Sequence, residues 1–100
     1  MQEEVNNTLV EEAKAHLRIT WSDEDDSVKK LIQRAMNVLR NLIHSSLEFE
    51  ENEAARQLLF DCCRYIRNNS FEYFQQNFIA EIQTLQAIEM TKEAEQSAES

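Results

Sequence analysis

The sequence contains neither glycine nor proline. Their absence removes the residues that punctuate β-hairpins and tight loops, and with them the glycine-rich loops that cradle phosphate. Helix becomes the default, with turns left to Asn, Ser and Asp. Positive charge is also scarce: 10 Lys and Arg stand against 19 Asp and Glu, a net charge of −9. Phosphate binding needs clustered basic side chains, so neither a general nor a sequence-specific nucleic-acid surface is expected. No apolar run approaches the roughly 20 residues of a membrane span. The opening MQEEVNNT lacks the basic-then-apolar order of a signal peptide. These absences predict a soluble, cytoplasmic protein with no membrane partner.

Cysteine is limited to the adjacent pair Cys62 and Cys63. Neighbours on a helix point about 100° apart, which suits neither a mutual disulfide nor a chelating pair. They read as small apolar side chains in a reducing compartment.

One hundred residues make one domain, and the periodicity predicts an all-α bundle of about four helices. The best-patterned stretch follows the polar joint at residues 20–26. Val28, Leu31, Ile32, Ala35, Met36, Val38, Leu39, Leu42 and Ile43 fall in one wide arc of a helix that ends near His44. Lys29, Lys30, Gln33, Arg34, Asn37, Arg40 and Asn41 fill the opposite side. Ser22 is placed to cap this helix, and Asp23, Glu24, Asp25 and Asp26 put negative charge at the positive end of its dipole.

Ahead of the joint, Thr8 and Glu11 form a capping box for a short helix to about Leu17, with Leu9, Ala13 and Leu17 on one face. Ile19 and Trp21 are expected to fold onto the bundle. After the long helix, Leu47 and Phe49 read as inward-facing loop residues. A third helix is predicted over residues 51–68, with Ala55, Leu58, Leu59, Cys62, Cys63, Tyr65 and Ile66 in its core arc. Asn69 and Glu72 suit the cap of a last helix, whose stripe Phe74, Phe78, Ile82, Leu85 and Ile88 predicts an end near Met90. Residues 1–7 and 91–100 are expected to be disordered, the latter as a polar tail, leaving residues 8–90 as the folded domain.

Catalytic chemistry finds little footing. A calcium loop beginning at Asp23 would need glycine where Val28 stands and a bidentate acid where Arg34 stands. His16 and His44 are isolated in sequence, and the serines fall at predicted caps and loops, not in a nucleophile elbow. No enzyme is predicted, and no catalytic, cofactor-binding or metal-ligating residue is assigned.

Two surfaces are candidates for protein contact. Phe60 lies off the core arc among Arg56, Arg64 and Arg67. An aromatic exposed among arginines fits the centre of an interface, here between subunits; the alternative is that the last helix or the N-terminal segment covers the ring. The second surface is the far end of the last helix, where Ile82, Leu85, Ile88 and Met90 present more apolar stripe than short neighbours easily cover. It either docks a partner or packs on the bundle.

The order of features resembles the small head–tail connector, or adaptor, proteins of long-tailed bacteriophages. The resemblance lies in Leu9-Val10-Glu11-Glu12-Ala13-Lys14-Ala15-His16-Leu17-Arg18-Ile19, the acidic joint Asp23-Glu24-Asp25-Asp26, and Leu31, Ile32 and Ala35 on the long helix. It continues through Tyr65-Ile66-Arg67-Asn68 and the stretch from Phe71 to Leu85, covering roughly residues 8–88. Its most specific part is the Lys-x-His-Leu-Arg-Ile element with the acidic joint. The chain departs from the pattern after the long helix, where His44-Ser45-Ser46 replaces the glycine often found there. The resemblance implies a structural virion protein without catalytic residues. Its copies would form a ring, commonly dodecameric, under the portal protein, extend the DNA channel towards a stopper or tail-completion protein, and reside in the host cytoplasm before assembly. It also implies a portal contact through the C-terminal region, assigned here to Ile82, Leu85, Ile88 and Met90. An acidic composition suits a channel that must not hold phosphate. The alternative function is a small acidic cytoplasmic regulator that binds one protein through a helix face.

Overall fold

The computed structural model describes residues 7–19 and 25–99, and all regular structure among them is helical. Five α-helices follow in order: α1 (Asn7–Leu17), α2 (Asp25–Leu42), α3 (Glu53–Arg67), α4 (Phe74–Asn77) and α5 (Ile79–Glu99), with a 3-10 turn at Phe71–Tyr73 before α4. The predicted cap Ser22, the packing residue Trp21 and the acids Asp23 and Glu24 lie outside the described residues.

The core forms where α2 meets α3, and α1 packs against both. Val28, Ile32, Ala35, Met36 and Leu39 of α2 are buried against Ala55, Leu58, Leu59, Cys62 and Cys63 of α3, as their arcs predict. Leu47 and Phe49 are also buried, so the loop between the two helices contributes to the core. Asn52 begins α3 by accepting a hydrogen bond from the Ala55 amide through Oδ1, at 3.1 Å.

Without glycine, two other residues take the left-handed conformation that closes a helix. Asn69 (φ 58°) follows α3, where the Ser70 amide reaches back to the Tyr65 carbonyl and the Asn69 amide to that of Ile66. Arg18 (φ 62°) follows α1, with the Ile19 amide on the Lys14 carbonyl and the Arg18 amide on that of Ala15. Both are Schellman closures, and the second buries Ile19 as its apolar partner. Asn69 therefore ends α3 instead of capping the next helix. Thr8 similarly falls within the first turn of α1, which starts at Asn7.

The C-terminal region departs further from expectation. The stripe beginning at Phe71 predicts one helix, but the backbone breaks at Phe78 (φ −118°, ψ 25°) between α4 and α5. An aromatic cluster surrounds the break: Tyr65 meets Phe74 and Phe78 edge-on at 5.8 and 5.5 Å, and Phe71 stacks on Phe74 at 5.9 Å. Asn77 donates to the Tyr65 hydroxyl at 2.9 Å. Beyond the break, α5 runs to Glu99, past the end at Met90 that the stripe predicts. At 1.5 Å per residue, α5 is about 31 Å long, which helps make the molecule elongated, with extents of 48 × 29 × 19 Å.

Candidate functional site

The two most distinctive sequence elements meet at the α1–α2 joint. The Lys14 ammonium, buried in the last turns of α1, lies 2.6 Å from Asp25 Oδ1 in the first turn of α2. Next to it on α1, His16 has Nε2 3.4 Å from Asp61 Oδ1, and Asp61 also accepts from Arg64 at 3.1 Å.

The Phe60 patch is not an exposed one. Phe60 is only 3% exposed, because α1 covers the side of α3 from which it projects; the His16 ring lies 5.7 Å away. The ring is core, and the apolar spot expected on the surface is absent. Arg56 bonds the Glu50 carbonyl at 2.7 Å and approaches Glu12 at 3.6 Å. Arg64 engages Asp61 and lies over the Tyr65 ring, while Arg67 is exposed at the end of α3. Of the three arginines only Arg56 reaches α1, through Glu12, and with Phe60 buried the proposed subunit interface loses its apolar centre.

The C-terminal stripe divides in two. Ile82 and Leu85 are buried in the bundle, whereas Ile88 is 43% and Met90 65% exposed. Of the four residues assigned to a portal contact, only the last two are available. Ile88 borders a shallow groove of about 290 Å³ that Ala54, Ala80, Thr84 and Leu85 also line.

Polar contacts hold α5 beyond Leu85. Gln86 Nε2 donates to the Leu42 carbonyl at 2.7 Å, satisfying an acceptor that the last turn of α2 leaves without an intrahelical donor. His44 Nδ1 accepts from the Ser46 amide at 3.1 Å, so its Nε2 carries the proton and donates to Glu93 Oε1 at 3.0 Å. At the His44–Glu93 contact lies a recess of about 410 Å³ lined by His44, Ser46, Glu48, Glu89, Lys92 and Glu93. Glu89 is only 4% exposed, and its Oε2 is 3.3 Å from Lys92 Nζ. Sequence reading treats His44 as isolated and overlooks Glu89. The missed signal is register: Glu89 stands seven residues after Ile82 and four after Leu85, a carboxylate in a position of the apolar stripe.

Cys62 and Cys63 are fully buried in α3, and burial pushes both thiols up to about 12. For Cys62, the nearby Arg34 opposes the rise and Asp61 adds to it, each less than burial. Among the described residues, no group of three or more His, Cys, Asp or Glu side chains could hold a metal ion. No helix among them is long and apolar enough to cross a membrane.

Comparison with curated proteins and with solved structures finds no match to the chain. A family model described as phage gp6-like head–tail connector protein matches residues 7–99. That span runs from the first residue of α1 to the last of α5 and takes in both the Lys14–Asp25 joint and the aromatic break. The chain therefore belongs to the phage gp6-like head–tail connector family.

Proposed function

We propose that this protein is a structural subunit of the phage virion whose copies assemble as a ring beneath the portal, extending the DNA channel towards a stopper or tail-completion protein. The observation that carries the reading is the family match over residues 7–99, the whole described fold and not one motif within it. A bundle of this size offers each neighbour a limited surface, and many copies docked on one template gain stability from multivalency. The acidic balance supports passage of DNA without retention, because a net charge of −9 repels phosphate.

The portal contact is proposed at the exposed end of the α5 stripe, at Ile88 and Met90, with the adjoining groove at Thr84 and Ala80. Side chains already exposed in the isolated subunit can be changed without emptying its core. Mixing the protein with purified portal tests the reading. Several copies should co-elute with each portal and form a ring by electron microscopy, and Ile88→Asp/Met90→Asp should abolish co-elution while leaving the melting transition in place. A protein that binds portal one-to-one, or not at all, would overturn the ring.

A further inference from the structure

We propose that the acidic recess between α5 and the loop after α2 receives a basic side chain from the exposed face of α2 of a second copy. The inference rests on the reading of the chain as a self-associating connector and adds the surface through which copies meet.

The recess is built around excess negative charge. Glu48, Glu89 and Glu93 line it against a single ammonium, Lys92, and the imidazole of His44. Glu89 is the unusual member. A carboxylate that is 4% exposed has given up most of its hydration, and its partner among the described residues is the Lys92 ammonium at 3.3 Å. Lys92 itself is half exposed. A volume of about 410 Å³ holds the head of a lysine or arginine with room to spare. A second cation there would add charge-assisted contacts in a recess whose carboxylates outnumber its own ammonium.

The complementary surface lies on the same chain. From Ser27 to Leu47 the sequence has no acidic residue and four basic ones. Lys29, Lys30 and Arg34 are exposed on α2, and none forms an ion pair with a described residue. In a protein of net charge −9, three exposed cations on α2 with no ion-pair partner among the described residues are conspicuous. They cannot serve the recess of their own copy. Arg34 and Lys30 stand 8 and 12 residues before Leu42, which at 1.5 Å per residue is about 12 and 18 Å along the axis. The basic strip of one copy and the recess of another are different patches, so their contact is heterologous, the kind that closes rings.

Reversing charge on each side separately, and then mixing, tests the contact. Lys30→Glu/Arg34→Glu makes the strip acidic; Glu48→Lys/Glu93→Lys makes the exposed rim of the recess basic. With full-length protein on purified portal, each variant alone should form rings at least about tenfold less efficiently than the natural chain. An equal mixture of the two should recover them, because every contact in an alternating ring is again between opposite charges. Glu89→Gln should weaken rings while leaving the melting temperature of the free subunit unchanged or raised. Rings formed equally well by both reversed variants would overturn this surface while leaving the ring reading intact. Natural chains that never contact one another on the portal would overturn both. Reversed variants that lose binding even at one copy per portal, with no recovery on mixing, would assign the recess to a basic side chain of the portal and overturn the second copy as its occupant.

Discussion

Lys14 Nζ lies 2.6 Å from Asp25 Oδ1, and this ion pair fastens α1 to the first turn of α2 across the joint between them. The two residues belong to the Lys-x-His-Leu-Arg-Ile element and the acidic stretch, on which the sequence resemblance to connector proteins chiefly rests. The acidic turn thus does more than favour the α2 dipole, because one of its carboxylates neutralises a buried ammonium from the preceding helix.

Asp25→Asn should therefore cost more than Asp26→Asn, although both sit in the first turn of α2. Breaking a fully buried pair costs about 3–5 kcal/mol, but Asp25 is 42% exposed and solvent screens part of the loss. A loss of about 1–3 kcal/mol is expected for Asp25→Asn, against less than about 1 kcal/mol for Asp26→Asn, where only the dipole contribution goes. Urea titration of the two variants measures the difference. Equal midpoints would mean that the pair adds nothing beyond helix polarity.

Phe60 gives a second contrast. Truncating a buried phenylalanine typically costs about 3–5 kcal/mol, so Phe60→Ala should lower the denaturation midpoint severely, and Phe60→Asp should fail to fold. Tyr73, 54% exposed, is a large aromatic on the surface, and Tyr73→Ala should change stability by less than about 1 kcal/mol. A soluble, cooperatively melting Phe60→Asp protein would contradict the packing of α1 over this ring.

These positions mark how far the sequence could be read. Helix identity and the α2–α3 core were legible because a single apolar arc repeats at helical spacing and both helices bury mainly that arc. The burial of Phe60 is not legible in the sequence because α3 buries two faces, one on α2 and one on α1, and a helical wheel does not reveal a second neighbour. Arg40 was placed on a solvent face, yet its Nε donates to the Leu47 carbonyl at 2.8 Å and its guanidinium lies 5.1 Å over the Phe49 ring. That contact depends on where the loop returns. The break at Phe78 has no glycine or proline to announce it; packing among Tyr65, Phe74 and Phe78 accompanies it. Glu89 was overlooked because its burial depends on α5 reaching past the end of α2.

The two closures without glycine predict unequal responses to the same substitution. A non-glycine residue in the left-handed region costs roughly 1–2 kcal/mol, with Asn among the better tolerated. Arg18→Gly should stabilise the protein by about 0.5–1 kcal/mol after the greater unfolded-state entropy of glycine is subtracted. Asn69→Gly should gain less, because Asn already suits that position. Thermal melts of the two variants give the ranking, and destabilisation by Arg18→Gly would show that the arginine side chain contributes more than its backbone costs.

The cysteines predict a pH response with a definite sign. Each thiol rises from 9.0 to about 12 on folding, so at alkaline pH the unfolded chain loses thiol protons that the native chain keeps. Stability from this source is fully present below pH 9, falls as pH rises and is lost by about pH 12. Cys62→Ala/Cys63→Ala should flatten that part of the alkaline decline. At pH 8 the native thiols should react with a thiol reagent such as Ellman's only as fast as the fold opens, and both should react at once in denaturant. Immediate labelling of the native protein would contradict their burial.

The last helix is expected to separate stability from the proposed portal contact after Leu85. Ile82 and Leu85 are buried and belong to the main core, whereas Ile88 and Met90 are exposed and the contacts beyond Leu85 are polar. Deleting residues 82–100 removes two core side chains, each worth about 2–5 kcal/mol when truncated. It also strips the Leu42 carbonyl of the Gln86 donor, so the shortened chain should melt far below the natural one or not fold. Deleting residues 91–100 keeps Ile82, Leu85, Gln86 and Glu89 and loses the exposed His44–Glu93 contact, worth under about 1 kcal/mol. That shorter deletion should shift the midpoint much less than the longer one, its cost coming mainly from Glu89, which gives up its Lys92 partner. Circular dichroism melts of the two truncations check the division. Equal melting by both would mean that α5 contributes nothing to the core through Ile82 and Leu85. A severe loss from the shorter deletion would instead place the anchor of α5 on the polar contacts near its end.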